Sequence, residues 1–332
     1  MPGSRQALGS TSVAHRRAGE RDDQRTHLSS GVGEHGPWSR RGPCISGLEP
    51  LLHGDSAMTH PIIDRVSYNA VYDASAVEAI DYASKNGFGG IQLAVELPHL
   101  SFESLSAEQI AEAASLGEAN GVHIAIRAPG ESVSLFQHSH FLREGILGYY
   151  RALFDFAALV KACVVTLHIG TMPTFRTDTR REMTVRDEDT AVYRGVVTKS
   201  LNSLLDMASG RFTLCVESYA LDEFSLFLLK PYLDSHRLAL SWDIARTWQR
   251  PALERFFFSN IQRVRQVILH DVRVDDSGNA TGHRVIGTGE IDFSQYLGRL
   301  SEADVLDYCI DVRPREKARE SLDGLKRVLG IP

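Results

Sequence analysis

The sequence predicts a closed (β/α)8 barrel, an α/β fold, spanning residues 58–332, and three observations lead there. Eight short apolar runs alternate with amphipathic segments from Ile63 onward. The runs are continuous rather than alternating, as strands covered on both faces are. The repeat fills 275 residues, near the roughly 250 that such a barrel takes.

Residues 1–57 precede the repeat. They are rich in Gly, Ser, Arg and His, hold Trp38 as their one aromatic residue, and have too little apolar surface to offset chain ordering. They read as a disordered extension or as an over-extended start, since Met58 stands immediately before the first patterned stretch. Arg16–Arg17 and Arg40–Arg41 precede no apolar core, and Glu20, Asp22 and Asp23 argue against a transit peptide.

The predicted strands are 64–69, 90–95, 122–127, 164–169, 212–217, 238–243, 267–270 and 305–311. Between them lie predicted helices at 74–86, 107–120, 141–161, 190–208, 222–233, 251–262 and 315–329. In the third helix Ile146, Tyr150, Leu153, Phe154 and Ala157 recur at three- and four-residue spacing, as one buried face requires. Gly87 and Gly121 stop helices, and Pro251 opens one at its first turn. A doubly wound sheet would carry a glycine-rich phosphate loop after its first strand; here Ser67 is followed by Tyr68-Asn69-Ala70-Val71-Tyr72.

Composition narrows function. The 332 residues carry 36 Lys and Arg against 42 Asp and Glu, net −6, with 43% hydrophobic and 23% charged residues. No run reaches the roughly 18–20 apolar residues of a membrane span. Cys163, Cys215 and Cys309 lie in apolar runs and four cysteines make no disulfide framework, which suits a reducing cytoplasm. Residues 58–332 hold 29 basic and 36 acidic side chains, net −7, the wrong sign for a nucleic-acid partner.

In a barrel of this kind chemistry sits at the C-terminal ends of the strands. Those ends present Arg127, His168, Glu217, Asp243, His270 with Asp271, and Asp311. One such residue alone is more often a helix cap or a satisfied core group. Four on consecutive strands point to a site, and three carboxylates with one imidazole suit a divalent ion, Mn²⁺, Mg²⁺ or Co²⁺ ahead of Zn²⁺. Trp242 and Trp248 read as packing residues, and the charged helix from Arg315 as a solvated face.

These segments resemble the xylose-isomerase-like barrels, a superfamily of sugar isomerases and epimerases, inosose dehydratases and endonuclease IV-type enzymes. The resemblance covers residues 58–332 and rests on Val164-Val165-Thr166-Leu167-His168-Ile169-Gly170, Cys215-Val216-Glu217-Ser218, Leu240-Ser241-Trp242-Asp243, Ile268-Leu269-His270-Asp271, the tail from His283 through Gly287-Thr288-Gly289-Glu290-Ile291-Asp292-Phe293, and Ile310-Asp311-Val312. It implies one metal held by Glu217, Asp243, His270 and Asp311, with Asp311 one methylene shorter than the family's Glu. Arg127 and Arg246 stand where the nuclease branch has histidines, and Thr281 where it has Asp. Guanidinium groups do not ligate metal, so these losses and the acidic balance argue against a multi-zinc nuclease.

The resemblance implies a divalent-metal-dependent sugar, sugar-phosphate or keto-acid isomerase or epimerase working by proton abstraction through a metal-stabilised enediolate. Glu217 is the expected base, Asp311 its partner and His168 a substrate or relay contact. Arg127, Arg246, His283 and Arg313, with Arg273 nearby, are expected to bind a small substrate that carries a carboxylate or phosphate. The alternatives are a keto-polyol dehydratase, which begins with the same proton abstraction, and a ligand-binding barrel without catalysis. Barrels of this type often form homo-oligomers.

Overall fold

A computed structural model describes residues 60–173 and 187–331; the expectation for residues 1–57 lies outside them. Eight parallel strands close into a barrel in the order β1-β2-β3-β4-β5-β6-β7-β10. They are β1 Val66–Ala70, β2 Gly90–Ala94, β3 His123–Arg127, β4 Val164–Leu167, β5 Thr213–Glu217, β6 Ala239–Asp243, β7 Val264–Leu269 and β10 Asp307–Ile310. The intervening helices are α1 Ala76–Lys85, α2 Ala107–Asn120, α3 His140–Leu159, α4 Asp187–Ala208, α5 Glu223–Asp234, α6 Ile244–Thr247, α7 Pro251–Ser259, α8 Phe293–Leu300 and α9 Arg315–Val328. A two-stranded antiparallel ribbon, β8 Asp271–Val274 with β9 Ala280–Arg284, interrupts the last crossover.

Local chemistry sets the boundaries. Ser75 accepts the Glu78 N–H at the start of α1, and Ser106 with Gln109 forms a reciprocal capping box on α2. Gly121 ends α2 at φ 64°, a left-handed conformation that glycine adopts without penalty. The element α8 and the β8–β9 ribbon were not expected. Helix α8 has only eight residues, and β9, exposed or half-buried along its length, has no apolar alternation to read.

Outward-facing strand residues pack under the helices. Trp242 is fully buried, stacked on Phe257 with ring centres 5.2 Å apart, and its Nε1 donates to Thr247 Oγ1 at 2.7 Å. It is a packing residue, as its sequence setting suggested. Among the described residues no helix is long and apolar enough to cross a membrane.

The barrel interior is unusually polar. Where such barrels fill with branched apolar side chains, Thr166 and Ser241 here donate to Gln266 Oε1 at 2.5 and 2.7 Å, and Gln266 donates to Asp307 Oδ2 at 2.7 Å. His123 Nε2 meets the other Asp307 oxygen at 2.9 Å. Gly90 makes room for that ring: a Cβ there would lie 2.3 Å from it. This floor holds up a second polar layer at the opposite end of the strands.

Candidate active site

Strand side chains two residues apart share a face, so the inward series that begins at Asp307 continues through Cys309 to Asp311. The same alternation brings Arg127, His168, Glu217, Asp243 and His270 to the C-terminal mouth. All are buried except Arg127, which is partly exposed. The structure brings these six expected residues together at the mouth, whereas Asp271, expected beside them, is not among them.

Glu217 sits between two cations. Its Oε1 accepts from Arg127 Nη2 at 3.4 Å. Its Oε2 lies 2.9 Å from His168 Nε2, yet the approach is out of line and neither atom has a directed hydrogen bond. Burial pushes this carboxyl toward the neutral form, but the Arg127 charge and the His168 ring outweigh it and hold the group below the ordinary glutamate range. His168 in turn stacks on Tyr219, ring centres 4.9 Å apart.

Asp311 is more heavily engaged. Its Oδ1 accepts from Asn69 Nδ2 at 2.9 Å and from Arg313 Nη2 at 2.9 Å and Nε at 3.3 Å. Its Oδ2 accepts from Arg127 Nη1 at 3.4 Å, with His283 Nδ1 3.6 Å away. Burial opposes ionisation here too, and the Arg313 and Arg127 charges overcome it, so the carboxyl is held far below the usual aspartate range.

Asp243 and His270 form a second pair. Asp243 Oδ1 caps α6 by accepting the Arg246 N–H at 3.0 Å and lies 3.4 Å from His270 Nε2. His270 Nδ1 accepts the His283 N–H at 2.9 Å. Burial disfavours its charged form, but Asp243 raises its pKa. The His283 ring stacks on His270 with centres 4.3 Å apart, and its Nδ1 donates to the Asp311 carbonyl at 2.8 Å. Partial burial lowers the His283 pKa.

Asp271 turns away from the mouth. Its carboxylate accepts four backbone N–H groups, from Val272, Gly287, Gly289 and Ile291, at 2.8 to 3.1 Å. It therefore anchors the 287–291 turn. Gly289 is needed for that approach, because a Cβ there would lie 2.2 Å from the Val272 carbonyl oxygen. Arg273 is exposed on β8, opposite Thr281 of the ribbon.

Donor chemistry fits a divalent ion at three of the four expected ligands. Glu217 Oε2 and His270 Nε2 are buried with no hydrogen-bond partner, and Asp243 Oδ1 stands beside the latter. Asp311 does not fit as a direct ligand, since both oxygens already face guanidinium groups. As they stand, no three His, Cys, Asp or Glu side chains among the described residues converge tightly enough to hold an ion.

Two site residues escaped sequence reasoning. Asn69 ends the first predicted strand, one residue short of the end of β1, and followed the same strand-end rule that marked the others. Tyr219 lies beyond β5, where no periodicity reveals that its ring stacks between His168 and the Arg246 guanidinium, 5.4 Å from the ring centre.

A family profile described as xylose isomerase-like TIM barrel matches residues 80–328. A D-tagatose 3-epimerase-like protein superposes with a TM-score of 0.63 at 18% identity, over 80% of this chain and 97% of that one. The 3-keto-D-glucoside 4-epimerase of E. coli gives 0.59 at 15% identity, over 80% and 99%. A xylose isomerase-like TIM barrel protein from Mycobacterium smegmatis, in complex with magnesium, gives 0.57 at 14% identity, over 80% and 95%. At such identities these likenesses establish the fold alone. No curated protein sequence matches the chain.

Proposed function

The chain belongs to the xylose isomerase-like TIM barrel family, and on that footing we propose that it epimerises or isomerises a polyhydroxylated ketone by moving a proton at the carbon beside the carbonyl. One observation carries this reading. Glu217 is a buried carboxylate held ionised by Arg127 and His168, with one oxygen free of any hydrogen bond. A base must be unprotonated to take a proton from carbon, and Glu217 is held so. Structural neighbours that are sugar epimerases support the same reaction class.

Glu217, Asp243 and His270 are the residues that would hold a divalent ion. Such an ion, when bound, polarises a carbonyl and makes the neighbouring C–H more acidic. His270 would ligate through Nε2, and the Asp271 carbonyl, 3.4 Å from Nδ1, would then serve as acceptor for the ring proton.

Each remaining group has a task of its own. Glu217 takes the proton through whichever carboxylate oxygen the ion leaves free, and His168, whose Nε2 is 2.9 Å from Oε2, carries it away or returns it. Arg127 keeps Glu217 ionised between turnovers. On the opposite wall Asp311 is too firmly ionised to carry a proton. His283, its Nδ1 proton committed to the Asp311 carbonyl, keeps a lone pair on Nε2 and is the better proton carrier there. Two carriers on opposing walls allow the proton to return to the other face of the same carbon or to its neighbour.

The test is product mass. Ketohexoses, their phosphate esters and keto-sugar acids, incubated with the Mn²⁺-supplemented protein, are expected to give at least one new sugar of unchanged mass. Products lighter by one water would replace isomerisation with dehydration.

A further inference from the structure

Arg246 differs from the other guanidinium groups at the mouth in making no hydrogen bond to a carboxylate; its one ionic neighbour, Asp243, is loosely placed. Arg127 forks between Glu217 and Asp311, and Arg313 grips Asp311 Oδ1 through two nitrogens. Among the described residues the Arg246 guanidinium has an ion pair with Asp243 and a ring contact with Tyr219. Its Nε is 3.8 Å from Asp243 Oδ2, beyond hydrogen-bond range. What holds the group is the Tyr219 ring beneath it, itself stacked on His168. The side chain is 48% exposed, so part of its donor set is open to a solute.

Charge balance points the same way. Three carboxylates, Glu217, Asp243 and Asp311, face three guanidinium groups, Arg127, Arg246 and Arg313. Among these described groups the charges thus cancel before any histidine is protonated, and a divalent ion would leave them net positive. A neutral sugar leaves that charge uncompensated in a partly desolvated cleft, where uncompensated charge is costly. An anionic group on the substrate removes it.

Resting on the isomerase or epimerase reading, we propose that the substrate bears an anionic group, a phosphate ester or a carboxylate, which docks on Arg246 above Tyr219 while its ketone lies against Glu217. The wall Arg246–Tyr219–His168–Glu217 runs from the rim to the buried base and sets the spacing. A planar guanidinium meets either anion with two parallel hydrogen bonds, which Lys cannot imitate.

Equilibrium dialysis tests this, because it counts bound sugar whether or not the sugar is converted. The probes are a ketohexose, its 6-phosphate and the corresponding ketohexuronate, with the wild type, Arg246→Met and Arg246→Lys. The wild type is expected to bind at least one anionic sugar roughly tenfold or more tightly than the neutral one. Arg246→Met should abolish the preference and Arg246→Lys should restore only part of it. The larger Arg246-dependent gain identifies phosphate or carboxylate as the recognised group. Equal wild-type affinity for all three sugars, or an anion preference that survives Arg246→Met, would overturn the proposal. Failure of the isomerase reading looks different: Arg246-dependent anion binding persists, with no proton exchange on any sugar.

Discussion

Arg127 and Asp311 face each other across the barrel mouth, Nη1 to Oδ2 at 3.4 Å, from strands that are not neighbours in the sheet. With Arg313 on its other oxygen, Asp311 holds cationic side chains in place. Removing its charge should therefore leave ion binding largely intact. Asp311→Asn is expected to change Mn²⁺ affinity by no more than about threefold in calorimetric titration, whereas Asp243→Asn should weaken it more than about tenfold. Equal losses would make Asp311 a ligand after all. Asp311→Asn should also cost about 2 kcal/mol of stability, the guanidinium groups being only partly buried.

Asp271 offers a separate test of what positions the site. Its four backbone acceptor contacts tie the 287–291 turn to the ribbon. Asp271→Ala strands those N–H groups and should cost roughly 3 kcal/mol. Limited proteolysis should then cut between residues 285 and 291 at a protease level the wild type withstands.

The floor of the barrel should couple two distant residues. Gly90→Ala forces the His123 ring off Asp307, a buried carboxylate, and is expected to destabilise by about 3 kcal/mol. In the double variant with His123→Ala the clash disappears. The combined loss should therefore be smaller than the sum of the single losses, as read from denaturant midpoints.

Alkaline stability follows from Tyr308 on β10, whose hydroxyl is pushed up to about 12 by burial. An unfolded tyrosine ionises near 10. A raised folded-state value means the contribution is complete below about pH 10 and is lost as pH rises toward 12. Tyr308→Phe should flatten the fall in melting temperature between about pH 10 and 11.5. An unchanged slope would remove Tyr308 as a cause.

Much of this architecture was legible because apolar periodicity and strand-end polarity are local properties. Gly121, Pro251 and the buried runs announce strands and helices from a few neighbours, and Glu217, Asp243 and His270 lie where strand ends meet the mouth. The pairings were not legible. Nothing in the spacing of Arg127, Glu217 and Asp311 reveals that one guanidinium bridges the other two, since 90 and 184 positions separate them. Asp271, adjacent to His270, looked like a site residue but serves a turn some sixteen to twenty positions later. Only closure of the barrel decides which oxygen faces which donor.

The central claim is that Glu217 removes a proton from the carbon beside a substrate carbonyl. Mass spectrometry and NMR of keto-sugars incubated in D2O with the Mn²⁺-supplemented protein test it most directly. Deuterium should enter one sugar at that carbon without loss of water, and Glu217→Gln should slow the exchange at least about a hundredfold while the protein keeps its fold. Exchange that proceeds unchanged in Glu217→Gln would contradict the account.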